Sequence, residues 1–174
     1  MRLFIAACPP EEILYYIYSV QNNLISKGIK GNYAKPRNIH MTIKFLGETD
    51  ESDIPKLVSI LENYRHLDIE FKLDGISWFK RRGRLILFID LAGDVERLEL
   101  AVNEIEDKFE RMGFEREKKK FYPHMTIARK VNLSEANINK ILHTKIKPIH
   151  FKLEEFNLVK STLTDEGPIY EILY

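Results

Sequence analysis

The sequence predicts an α+β fold of two pseudo-symmetric lobes, each a small, mainly antiparallel sheet with helices on its outer face and an active cleft between the lobes. Three observations carry this expectation. The tetrapeptide His40-Met41-Thr42-Ile43 recurs letter for letter as His124-Met125-Thr126-Ile127, 84 residues later in a chain of 174. Arg2-Leu3-Phe4-Ile5 is answered by Arg84-Leu85-Ile86-Leu87 at an offset of 82, and Phe71-Lys72-Leu73-Asp74 by Phe151-Lys152-Leu153-Glu154 at an offset of 80. Between these matches, strand-like and helix-like stretches follow one another in the same order twice. The chain therefore reads as one domain, residues 1–174, with pseudo-repeat lobes of roughly 1–82 and 83–174 that are free to exchange strands.

Leu3 to Ala7 is fully apolar and suits a buried strand, stopped by Pro9-Pro10. Glu11 and Glu12 favour the positive end of a helix that runs to about Lys27, with Ile13, Ile17, Val20 and Leu24 on one side and Gly28 past its end. Pro36 biases Lys35 away from the helical region, so Tyr33 to Asn38 is read as extended. Ile39 to Leu46 is the first motif strand. Asp50 to Asp53 offer caps for a helix through Tyr64, with Ile54, Leu57, Val58 and Leu61 inward. Phe71 to Phe79 is a strand, Lys80-Arg81-Arg82-Gly83 a basic turn and Leu85 to Leu91 another apolar strand. A helix follows from Val95 to Met112, its stripe Leu98, Val102, Ile105 and Phe109, ended by Gly113. Glu115 to Lys120 is a charged connection before the second motif strand. Ser134 caps a short helix to about His143, Phe151 to Val159 is one strand, and Ser161 to Tyr174 forms a hairpin around Asp165-Glu166-Gly167-Pro168.

Composition narrows the function classes. The apolar fraction of 44% and the charged fraction of 30% are those of a globular chain, not a disordered one. A net charge of +1 excludes a polycation that grips long duplexes through many phosphates, so any nucleic acid is held by local patches. A single cysteine, Cys8, excludes an internal disulfide and provides no zinc cluster. No apolar run is long enough to span a bilayer, and Met1 to Ala7 is too short for the usual signal-peptide core. The expectation is a cytoplasmic protein with no membrane partner.

On a strand, side chains at i and i+2 leave one face, so each motif copy presents an imidazole and a hydroxyl together while Met and Ile point to the core. His40 with Thr42 and His124 with Thr126 are therefore the candidate catalytic pairs. Two imidazoles permit acid and base roles at once near neutrality, and a threonine hydroxyl donates to an oxyanion without competing as an acid. That combination suits phosphodiester chemistry: one group activates water and another protonates the departing alkoxide. A lone His-x-Thr is ordinarily a half-buried sheet pair, but core packing has no need of the same polar pair twice. Lys44 continues the His40 and Thr42 face by alternation and is a candidate phosphate contact, although its counterpart is Ala128. Arg129 is out of phase with His124 and Thr126 and enters the cleft only through a bulge or strand end. Tyr33, Phe45 and Tyr122 flank the motifs as candidates for stacking on a base. His66, His143 and His150 lack such partners. Neither motif carries a carboxylate or cysteine at ligand spacing, so no metal and no cofactor is expected.

With these residues in view the chain resembles the two-histidine (2H) phosphoesterases, and within them the LigT-like RNA 2′,3′-cyclic phosphodiesterases, also called 2′-5′ RNA ligases. The resemblance runs from Met1-Arg2-Leu3-Phe4-Ile5-Ala6 through Pro36 to Asn38 and His40-Met41-Thr42-Ile43-Lys44-Phe45-Leu46-Gly47-Glu48. It continues with Gly113-Phe114, Phe121, Pro123 to Arg129, Ser161-x-Leu163 and Gly167-Pro168-x-Tyr170. Cys8 departs from the aspartate common there, Tyr33 from a tryptophan, and Met replaces Leu inside both motifs. The resemblance implies metal-independent hydrolysis of a 3′-terminal 2′,3′-cyclic phosphate to a 2′-phosphate, with His40 giving a proton to O3′ and His124 taking one from water. It also implies reversible 2′-5′ ligation with a 5′-hydroxyl RNA in place of water, RNA ends including tRNA halves as partners, and a monomer. The alternative is a non-catalytic RNA-end-binding module or a partner-binding relic of the same fold. Retention of both pairs argues against it, because binding alone does not require two titratable groups.

Overall fold

The structure, a computed structural model, describes residues 1–165 and 167–174. Along the chain come β1 (Arg2–Ala7), α1 (Glu11–Ser26), β2 (Asn32–Tyr33), β3 (Met41–Glu48), α2 (Ile54–Leu61), β4 (Ile69–Arg81) and β5 (Arg84–Gly93). Then follow α3 (Val95–Arg111), β6 (His124–Asn132), α4 (Glu135–Leu142), β7 (His150–Leu153), β8 (Asn157–Thr164) and β9 (Gly167–Ile172). The strands form one nine-stranded antiparallel sheet in the order β7-β4-β5-β6-β3-β1-β8-β9, with β2 added on β6.

The sheet narrows at its middle. β3 and β6 share a single residue pair, Met41 opposite Met125, after which β2 takes over the edge of β6. Two half-sheets result, β3-β1-β8-β9 and β7-β4-β5-β6, and each carries one motif strand at the seam. β4 lies in the half built otherwise from later sequence, while β8 and β9 return to the half that contains β1 and β3.

Alternation decides which face is covered. Leu3, Ile5, Ala7, Met41 and Ile43 join Leu87, Ile89, Leu91, Met125 and Ile127 in one buried core with Ile13, Ile17, Val20 and Leu24 of α1 and Leu98, Val102, Ile105 and Phe109 of α3. Full burial of each such side chain is worth about 1.5–3 kcal/mol, which fixes the helices on this side. The intervening strand residues, Phe4 and Ala6, form a separate small cluster with Val159 on the other side. That second face is the cleft.

The observed ends explain themselves locally. Glu11 and Glu12 open α1, and the Ser134 hydroxyl caps α4 by accepting from the Asn137 amide. Lys35 is extended ahead of Pro36, but Pro36 to Asn38 closes into one 3₁₀ turn, so the stretch read as extended is so only in part. The single strand expected from Phe151 to Val159 is two strands that diverge. β7 pairs with β4 and β8 with β1, near opposite ends of the sheet. The hairpin of β8 and β9 forms, and Glu166 within its expected turn lies outside the described residues.

Two of the sequence matches have another meaning in three dimensions. Phe71 lies directly opposite Phe151, so the offset of 80 relates neighbouring strands and not equivalent ones. The equivalence of β1 and β5 runs through Leu3-Phe4-Ile5 and Leu87-Phe88-Ile89, an identical tripeptide at the motif offset of 84, not through the offset of 82. In both copies leucine and isoleucine join the main core, while phenylalanine lies outside that cluster.

Candidate active site

Both histidines are oriented in the same way. The Nδ1–H of His40 donates to the Asn38 carbonyl at 2.8 Å, and that of His124 to the Tyr122 carbonyl at 2.7 Å. A carbonyl only accepts, so Nδ1 holds the proton in the neutral ring and Nε2 is left with its lone pair. His40 Nε2 lies 3.1 Å from the Thr42 hydroxyl, which donates to it in this state. Asn38 also ties down β9, its side-chain amide donating to the Pro168 carbonyl at 2.9 Å.

Each imidazole stands over a phenylalanine of the adjoining strand. Ring centroids are 4.9 Å apart for Phe4 and His40 and 5.0 Å apart for Phe88 and His124. Tyr170 of β9 meets His40 edge-on at 5.2 Å, and Phe79 of β4 meets His124 edge-on at 5.3 Å. The aromatic walls are thus matched across the seam. Carboxylates are not. Asp90 sits in register with His124, accepting from the Tyr122 hydroxyl at 2.5 Å and from the Ser77 hydroxyl.

The electrostatics follow from this packing. Burial pushes the His40 pKa down, the Asn38 carbonyl opposes this, and the charges of Arg129 and His124 lower it further. Burial also lowers that of His124, against the Tyr122 carbonyl. Arg129 lowers it again, while Asp90 raises it. A charge on one imidazole therefore disfavours a charge on the other, and among the described residues only His124 has a carboxylate beside it. The hydrogen bond to Asp90, with burial, pushes the Tyr122 phenol up to about 12, so it remains a neutral donor.

The flanking candidates fare differently, and one backbone device explains three of them. The pairing of β1 with β3 slips by one residue between Ala6/Thr42 and Ile5/Lys44, so Ile43 and Lys44 are both buried and Phe45 returns to the cleft face, 62% exposed. Lys44 is consequently not beside His40 and Thr42. Its Nζ donates to the Glu106 carboxylate of α3 at 2.6 Å and to the Glu115 carbonyl at 2.8 Å, on the core side. Corresponding slips between β5 and β6 bury Ile127 and Ala128 together and put Arg129 back in phase with Thr126. Arg129 thus enters the cleft through the bulge it required. Tyr33 does not: it pairs with buried Ala128 and shares its face, packs against the core, and donates its hydroxyl to the Ile29 carbonyl at 2.9 Å. Tyr122 is at the cleft, 51% exposed beside His124.

Phe4, Phe79, Phe88, Asp90 and Tyr170 were not among the site residues expected from the sequence, although Phe4 and Tyr170 lie in the stretches that carry the resemblance. The Leu-Phe-Ile repeat at the motif offset is the signal that marks Phe4 and Phe88. Among the described residues, no three His, Cys, Asp or Glu side chains gather into a metal-binding group, and no helix is long and apolar enough to cross a membrane.

Comparison with known proteins agrees with this geometry. Residues 9–165 match the model of the 2′-5′ RNA ligase superfamily. A protein of Methanocaldococcus jannaschii named RNA 2′,3′-cyclic phosphodiesterase is 32% identical, the match covering 99% of this chain and 98% of that one. A protein of the same name from Thermotoga maritima is 31% identical, covering 100% and 94%. Among solved structures, TT0787 of Thermus thermophilus superposes with a TM-score of 0.81 at 22% identity, covering 100% of this chain and 96% of its own. E. coli LigT complexed with 3′-AMP gives 0.78 at 22% identity, covering 99% and 95%, and shares the fold. With the paired His-x-Thr strands facing one cleft and a family match over most of its length, the chain belongs to the 2′-5′ RNA ligase superfamily of two-histidine phosphoesterases.

Proposed function

We propose that the chain hydrolyses the 2′,3′-cyclic phosphate at the 3′ end of RNA to a 2′-phosphomonoester, using His40 and His124 as an acid–base pair. The observation that carries this reading is the shared orientation of the two rings, each with Nδ1 anchored to a carbonyl two residues before it and Nε2 left for chemistry. Water attacks phosphorus as His124 Nε2 accepts its proton, the P–O3′ bond breaks, and His40 Nε2–H protonates O3′. Asp90 supports His124 as the base, because its negative charge stabilises the imidazolium that forms there. Among the described residues His40 has no such carboxylate, and burial pushes its pKa down, which favours release of its proton to O3′. The negative charge of the bound phosphate raises that pKa, so the ring takes its proton from solvent as substrate binds. Thr42, Thr126 and Arg129 then donate to the non-bridging oxygens, and the Thr42 hydroxyl must leave His40 Nε2 to do so. Tyr122 and Phe45 offer exposed faces to the terminal base.

With the 5′-hydroxyl of a second RNA in place of the attacking water, the same site forms a P–O5′ bond as P–O3′ breaks and O3′ is protonated, which joins two ends through a 2′-5′ linkage; the reverse of that step cleaves it. The test is incubation of the protein with RNA ending in a 2′,3′-cyclic phosphate, in the presence of EDTA, followed by mapping of the product phosphate. The expected product carries it on O2′. A 3′-phosphate product would contradict the assigned leaving group. Binding without turnover would favour the end-binding module.

A further inference from the structure

One concavity lies outside the histidine pairs, and of its lining only Arg129 has a part in the chemistry above. It has a volume of about 460 Å³ and is lined by Arg81, Arg82, Arg84, Ile86, Arg129 and Lys130. Five of these six are cations and none is a carboxylate, in a chain whose 27 basic and 26 acidic residues nearly balance. Among the described residues, none of the five takes part in a salt bridge.

The backbone holds these charges together at a cost. Arg81 and Arg84 lie directly opposite each other as the last pair of the β4–β5 hairpin, and like charges facing across a sheet destabilise it. Arg82 and Lys130 have φ of 49° and 55°, two of only four non-glycine residues with positive φ among the described residues. Arg82 and Gly83 form the two-residue turn of this hairpin, which takes positive φ at both positions; Gly, Asn or Asp meets that need at least cost, and a long cationic side chain stands there instead. Repulsion and backbone strain thus converge on one concavity, and an anion in it offsets both.

The concavity continues the catalytic face. Arg84, Ile86, Phe88 and Asp90 alternate onto the same side of β5, so the arginines lie about 13 Å along the strand from Phe88, which supports His124. Arg129 joins the two regions, lining the concavity while its charge acts on both imidazoles. The geometry points to the concavity between the β4–β5 hairpin and the end of β6 as a second phosphate site, which takes the backbone phosphodiesters of the RNA body on the 5′ side of the cyclic end. This rests on the hydrolase reading for which end lies at the histidines. Guanidinium forks suit phosphate bidentately, and half-buried Ile86 in the lining, with exposed Phe79 opposite it on β4, leaves the sugar and base an apolar surface. The net charge of the whole chain conceals this local excess.

The test uses the triple variant Arg81→Thr, Arg82→Asn, Arg84→Thr. Threonine suits the strand positions and asparagine the positive φ, so the hairpin is retained or strengthened. kcat/KM is measured on a mononucleoside 2′,3′-cyclic phosphate and on a short oligoribonucleotide with the same end. The variant should lose about tenfold or more on the oligonucleotide, with a salt dependence shallower by roughly 0.7 in log–log slope per phosphate released, and remain within about twofold of wild type on the mononucleotide. Equal losses on both substrates, or none on the oligonucleotide, would overturn the site. Should the wild type hydrolyse neither, the hydrolase reading fails, and fluorescence anisotropy with the same RNA decides the site: weaker binding by the variant supports it, equal binding overturns it. ATP in a parallel titration separates a free nucleotide from RNA. Loss of ATP binding with RNA binding unchanged would also overturn the proposal.

Discussion

At the scale of single residues, the two catalytic candidates are alike in their anchoring and unlike in their surroundings. Asp90 is the difference, since it raises the proton affinity of His124 while burial and Arg129 lower it. In the proposed mechanism His124 must be neutral to act as the base, so its protonation as pH falls enters the low-pH limb of kcat/KM. Asp90→Asn removes the one charge that raises that pKa. The limb is therefore expected to move to lower pH, with kcat on the plateau reduced because the imidazolium formed in the transition state loses its neighbour. A limb that moves to higher pH, or not at all, in a pH–rate series would show that Asp90 does not act on His124. The histidines and threonines were legible because their spacing repeats. Asp90 was not, because its role depends on the cross-strand register that puts it opposite His124, and nothing in the local sequence records that register.

At the scale of elements, the bulges in the two motif strands decide which flanking side chains reach the cleft. Strict alternation placed Lys44 in and Arg129 out, and one slipped residue in each strand reverses both. Lys44 instead forms a buried ion pair with Glu106, their side chains 2% and 7% exposed. Breaking such a pair leaves a charge without a partner, so Lys44→Met should cost about 3–5 kcal/mol, whereas Lys44→Met with Glu106→Leu should recover most of it. Denaturant unfolding of the two variants checks this. Lys44→Met that unfolds like wild type would mean the pair is not closed in solution. Glu106 has a counterpart in α1: buried Gln21 donates to the Ile127 carbonyl of β6 at 2.9 Å, so each long helix sends one polar side chain to a motif-strand region. The helices were read within a few residues of their observed ends because their apolar stripes are continuous. The break between β7 and β8 was missed because both pieces are apolar and extended, and only the tertiary path sends them to distant parts of the sheet.

At the scale of the molecule, two half-sheets meet at a single residue pair and bring one His-x-Thr pair each to a shared cleft. The repeat offset of 84 made this arrangement legible, while the exchange of β4, β8 and β9 between the halves lies in the topology and not in any local pattern. The central claim is that the two histidines work as a coupled pair with one proton between them. Both pKa values are lowered in the free protein, so the singly protonated form is depleted as pH rises past the ordinary histidine value of about 6.5. Bound phosphate raises both, which moves the kcat bell to higher pH than the kcat/KM bell. The most direct measurement is the pH–rate profile, in EDTA, of the wild type, His40→Ala and His124→Ala on RNA ending in a 2′,3′-cyclic phosphate. The expected result is a bell for the wild type and losses of about 10²–10⁴-fold in each variant, with the low-pH limb missing without His124 and the high-pH limb missing without His40. A flat wild-type profile across the histidine range, or a folded variant that keeps near-native turnover, would contradict the account.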